Sequence, residues 1–114
     1  MKNPDRAAVV PLGTFEEQVM LALLRTAPDS YAMAIRRELE KVAGRSVAIG
    51  SIYVTLDRLE SKGLITSTRA QRDESSSRRI FAVTPAGAYA LTETKAMRER
   101  LWRGVQVRSL LRDR

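Results

Sequence analysis

Ser51, Thr55, Arg58 and Lys62 recur at intervals of three and four, so on a helix they form one narrow stripe of two hydroxyls followed by two cations. Short hydroxyls allow close approach of the backbone, a guanidinium offers paired donors, and an ammonium is a point charge. That set binds base edges and phosphates: Ser51 and Thr55 suit either, Arg58 suits a bidentate contact to guanine, and Lys62 suits a phosphate. It has no means of making or breaking a bond. Ile49, Ile52, Leu56 and Leu59 repeat on another side of the same stretch, giving it an apolar face that must pack. Gly63 tolerates the left-handed backbone that stops a helix, and the run from Leu64 to Arg69, rich in β-branched and hydroxyl residues, reads as a strand.

Composition narrows the function classes. The chain has 114 residues, enough for one small domain, with 20 Lys and Arg against 13 Asp and Glu, a net charge of +7 that favours a polyanionic partner. There is no cysteine and no histidine, so disulfides, thiolate metal sites and the commonest general base are all missing. No catalytic residue, metal site or cofactor is expected. Asp57 and Glu60 are a carboxylate pair three apart on a helix, but with no partner for chemistry they read as a surface charge pattern. The longest apolar run, Val19 to Leu24, is too short to cross a bilayer, and the first residues lack the order of a signal peptide, so a cytoplasmic protein with no membrane partner is expected.

The elements that must position the stripe follow in order. Residues 1–11 carry two prolines and no periodicity and read as a flexible tail. Thr14 and Glu17 have the spacing of a capping box, and Phe15, Val19, Ala22 and Leu23 carry a first helix to about Thr26. After Pro28-Asp29, Ser30 is the candidate cap of a second helix, Tyr31 to Ala43, with Tyr31, Ile35, Leu39 and Val42 inward. A short turn through Gly44 leads to the third helix, which carries the stripe: two helices joined by a glycine-containing turn make a helix-turn-helix. The strand from Leu64 pairs with Arg79 to Val83 across a polar loop, a wing, surrounded by Arg69, Arg72, Arg78 and Arg79 that suit phosphate or narrow-groove contact. Thr84-Pro85 starts a last helix extending to about Leu111. Its apolar stripe, Leu91, Met97, Leu101, Trp102 and Val105, needs a partner, and a second copy of the chain supplies one. Gly104 weakens its last turns, and the end from Arg108 frays.

These residues also resemble a known family, the PadR-like transcriptional regulators. The match runs through Gly50-Ser51-Ile52-Tyr53, Leu56, Arg58-Leu59-Glu60 and Gly63-Leu64-Ile65. It continues where the family's Tyr-Tyr-x-(apolar)-Thr-x-x-Gly is similar to the stretch from Ile80 to Gly87. It spans about residues 12 to 105. Three departures stand out: Val54 replaces a frequent proline, Ser30 replaces the glycine before Tyr31, and Phe81 alone remains of an aromatic pair. The resemblance implies a mainly α fold with a small β-hairpin (α+β), a winged helix-turn-helix over 12–84, and a long C-terminal dimerisation helix with a frayed end over 85–114. It also implies a homodimeric repressor on an inverted-repeat operator in double-stranded DNA, released by a small aromatic effector.

Two residues admit two readings each. Tyr53 either bonds a DNA phosphate, as its family counterpart lies near the backbone, or packs between the second and third helices. Trp102, the only tryptophan, is either an interface anchor or one of a pair of rings that sandwich a flat ligand. The rival function is a winged-helix protein-docking module, which a small, polar and basic stripe fits less well than an apolar one would.

Overall fold

The computed structural model describes residues 11–71 and 77–111. Three helices, α1 (Thr14–Thr26), α2 (Ala32–Ala43) and α3 (Ile49–Ser61), precede an antiparallel hairpin of β1 (Ile65–Gln71) and β2 (Ser77–Val83). Helices α4 (Pro85–Trp102) and α5 (Arg108–Leu111) complete the chain. This is a winged helix-turn-helix, mainly helical with a two-stranded wing.

One core joins the elements. Val19, Met20 and Leu23 of α1 meet Ile35 and Leu39 of α2, Ile52, Leu56 and Leu59 of α3, Ile65 and Phe81 of the hairpin, and Ala90 of α4. Each large side chain removed from water contributes about 1.5–3 kcal/mol, which is what holds such short helices helical. Two expected core residues lie elsewhere. Val42 is 60% exposed, and Tyr31 caps the start of α2 with its ring outside the core.

Local chemistry sets the ends of the elements. The cap of α1 is Gly13 rather than Thr14, and Glu16, not Glu17, reaches back to accept from the Gly13 amide at 3.1 Å. Glu17 is instead drawn inward, where Arg98 of α4 donates to it at 2.5 Å. Ser30 is no cap either. It is fully buried: its hydroxyl donates to the Leu23 carbonyl at 2.7 Å, and its own carbonyl accepts from the Phe81 amide at 2.9 Å, which ties the wing to α1. Past α3, Gly63 has φ +76°, and the Gly63 and Leu64 amides donate to the carbonyls of Glu60 and Leu59, closing the helix in a Schellman turn. The turn between α2 and α3 is clipped at Val47, whose amide donates to Glu40 and whose carbonyl accepts from Arg36, both at 2.8 Å.

The hairpin is longer than its sequence pattern indicates, with Ile65 opposite Val83 and Gln71 opposite Ser77. The loop expected over Gln71 to Arg78 therefore shortens, and Arg72, expected in it, lies outside the described residues. Helix α4 starts as expected, with the Thr84 hydroxyl accepting from the Gly87 amide at 3.1 Å and Pro85 in the first turn. It does not continue to Leu111. Arg103 turns extended and Gly104 adopts φ +78°, a conformation that costs glycine nothing, so the chain leaves the helix there and forms α5 separately.

Candidate nucleic-acid interface

Helix α3 presents a different face from the one its hydroxyl and basic residues suggested. Ile52, Leu56 and Leu59 are completely buried and fix the inward direction. At about 100° per residue, Thr55 then lies only about 60° from the centre of the buried face, and Ser51, Arg58 and Lys62 lie on its flank. Thr55 is accordingly 4% exposed and is withdrawn from any base-reading role. Lys62 donates to Glu16 of α1 at 2.9 Å, so its charge is engaged within the fold. Ser51 and Arg58 remain exposed. Burial raises the carboxyl of Glu16, but hydrogen bonds from Lys62 and the Gly13 amide, with the charges of Lys62 and Arg58, outweigh it and hold that group below its ordinary range.

Val54, 56% exposed, lies near the centre of the outward face, and Tyr53, 47% exposed, lies on the flank opposite Ser51. The packing of Tyr53 between helices does not occur: its ring stands on the wall of a groove of about 420 Å³ between α2, α3 and the wing. Arg69 and Arg78, on neighbouring strands of the hairpin, line the same groove. Arg79 is also there but is anchored, donating to Glu60 at 2.6 Å, approaching Asp57 at 3.7 Å and lying over the Phe81 ring. It fastens the wing to α3 and is not a free phosphate ligand, contrary to its sequence assignment.

Two residues of this site were not legible as such. Tyr31 stands at the groove with its hydroxyl accepting from Arg37 at 2.7 Å, while the guanidinium of Arg78 lies 4.0 Å from its ring centroid. Hydrogen bonds from Arg37 and then Arg78 hold the phenol below its usual range. Arg37 is one charge on an exposed helix side, and a pattern of periodicity carries no signal that it shares Tyr31 with a residue of the wing. Among the described residues no group of three or more His, Cys, Asp and Glu is placed to hold a metal, and no helix is long and apolar enough to cross a membrane.

The residues assigned to an intermolecular interface divide. Leu91 packs on the domain's own core and Met97 is half-buried. Leu101, Trp102 and Val105 are 69, 59 and 51% exposed at the end of α4 and just beyond it.

Comparison with known proteins adds to this geometry. A family model described as the transcriptional regulator PadR-like family matches residues 20–93, from within α1 to within α4. The transcriptional regulator Rv3488 of Mycobacterium tuberculosis is 38% identical over 89 residues, covering 76% of this chain and 81% of that protein. A PadR-like transcription factor from Bacteroides fragilis has a TM-score of 0.68 at 27% identity, over 78% of this chain and 84% of that one. A PadR family transcriptional regulator from Eggerthella lenta gives 0.64 at 29%, over 84% and 82%. The match covers the helix-turn-helix, the wing and the first half of the helix that follows, and the chain therefore belongs to the PadR-like family of transcriptional regulators.

Proposed function

We propose that two copies of this chain bind an inverted-repeat operator in double-stranded DNA, in the cytoplasm, and repress transcription by occupying a promoter. The observation that carries this reading is the shared groove: the exposed Tyr53 of α3, next to the outward Val54, stands with Arg69 and Arg78 from the loop end of the wing. A helix entering a major groove is flanked by phosphates, and these arginines stand where such a flank falls. Arg58 takes guanine, Ser51 a base edge or phosphate, and Val54 the methyl of thymine. Tyr53 and Arg72 take phosphates. Two heads about 34 Å apart would read successive major grooves.

Exposed apolar side chains gather at the C-terminal end: Leu101, Trp102, Val105, Val107, Leu110 and Leu111. A second copy covers them, with Met97 at the edge of the contact. A flat aromatic effector inserted between two Trp102 rings would shift the spacing of the heads and release the operator. The docking-module reading draws on one observation, the apolar centre of the α3 face, and the same experiment separates the two. Fluorescence anisotropy with DNA from upstream of the chain's own gene, against scrambled DNA of equal length and in a salt series, should show at least about a thousandfold preference and two chains per complex. Equal, weak binding to both DNAs, with no site recovered by random-sequence selection, sinks the repressor in favour of docking.

A further inference from the structure

Several cations of the described fold sit against a carboxylate. Arg25 pairs with Glu38, Arg36 with Glu40, Lys62 with Glu16, Arg79 with Glu60 and Arg98 with Glu17. Arg37 and Arg78 are held differently. They converge on Tyr31, one donating to its hydroxyl and the other stacked on its ring. A phenol oxygen fixes guanidinium groups in place without neutralising them. The described residues that line the groove include no carboxylate, and no ion pair among the described residues joins Arg37 or Arg78 to one. Across the groove stands the half-exposed Tyr53 of α3, with a hydroxyl able to donate.

Guanidinium forks match the two non-bridging oxygens of a phosphate, and an anion placed between them relieves the repulsion of like charges. We propose that this groove seats one phosphodiester of the DNA backbone between Arg37 of α2, Arg78 of β2 and the hydroxyl of Tyr53, with Tyr31 as the post that holds both guanidiniums. The assignment rests on the DNA-binding reading and deepens it. Tyr53 flanks the outward face of α3, so a duplex docked on that face brings a backbone strand over the groove. One phosphate would then join α2, α3 and the wing, fixing the angle of the wing and adding affinity that does not depend on sequence.

The test pairs protein variants with DNA in which single phosphates are replaced by neutral methylphosphonates. Arg37→Gln alters an exposed side chain, and its fold is checked by circular dichroism. It should weaken operator and scrambled DNA alike by about tenfold and reduce the salt slope by about one. Tyr31→Phe, which keeps the ring and removes the post, should weaken both in the same direction by less. One methylphosphonate per half-site should cost the wild type a similar factor and cost Arg37→Gln nothing more. Unchanged affinity and slope in Arg37→Gln, or methylphosphonate penalties that are equal in both proteins at every position, overturn the seat while leaving DNA binding intact. A wild-type protein that binds no DNA overturns the repressor reading itself, and the seat with it. Saturation of the Arg37 and Arg78 side-chain NMR signals by millimolar inorganic phosphate, with no methylphosphonate coupling, would give the groove to a free phosphorylated ligand and overturn its assignment to DNA.

Discussion

Gly87 lies against the backbone of Leu64 so closely that a Cβ on it would stand 2.0 Å from the Leu64 carbonyl oxygen and 2.9 Å from Val83 Cγ1. The same carbonyl accepts from the Thr84 amide at 3.1 Å, and the Thr84 hydroxyl donates to Gly63 at 2.7 Å. The start of α4, the end of α3 and the foot of the wing are thus one joint. Gly87→Ala must move backbone, not a flexible side chain, and should destabilise the fold by about 2–4 kcal/mol. Urea unfolding checks this; an unchanged midpoint would mean the joint opens freely.

Stability should fall in acid through Glu16. Its carboxyl is held below the ordinary value of 4.5, so the folded state favours the ionised form. That contribution is complete above about pH 4.5 and is lost as pH drops through the lower folded value. Glu16→Gln should show a shallower loss of stability than wild type below about pH 4.5, measured as thermal midpoint against pH. Parallel curves would count against the Glu16–Lys62 contact.

Arg79 is assigned to holding the wing. Arg79→Ala removes its bonds to Glu60 and Ser67 and its packing on Phe81. Because Arg79 is more than one-third exposed, solvent screens the pair, and a loss of only about 0.5–1 kcal/mol is expected, read as a shift in urea midpoint. The salt slope of DNA binding should change less than in Arg37→Gln. The opposite ranking would return Arg79 to the phosphate contacts.

Base reading is assigned to Arg58. Arg58→Ala should leave nonspecific affinity near wild type and reduce discrimination between operator and mismatched sites by about 1–3 kcal/mol at one base pair. Competition binding against single-base operator variants measures it, and a uniform loss on all DNA would make Arg58 a phosphate ligand instead.

The end of α4 is assigned to self-association. Leu101 is 69% exposed, so Leu101→Asp should not disturb the isolated fold but should convert a dimer to monomer and weaken operator binding. Sedimentation velocity decides, and a variant that stays dimeric moves the interface elsewhere.

Much of the architecture is legible from local rules. Ile52, Leu56 and Leu59 mark the buried side of α3 by spacing alone, Gly63 marks its end, and Thr84-Pro85 marks the next start. These signals survive because a helix period, a positive φ and a missing amide are properties of a few neighbouring residues. The site is less legible for the opposite reason. A stripe of matching polar residues identified a flank of α3 as its outward face, because the true angle is set by how far the whole helix sinks into α1 and the wing.

The sequence by itself determined the order of helices and strands, the apolar face of α3, the basic character and the absence of histidine and cysteine chemistry. Tertiary structure alone decided that Thr55 is buried, that Lys62 and Arg79 are spent on Glu16 and Glu60, and that Arg37 meets Arg78 on Tyr31. Charge counts are additive along a chain, but whether a given cation is neutralised depends on which carboxylate lies within about 4 Å in space, and that distance exists only once distant segments have packed.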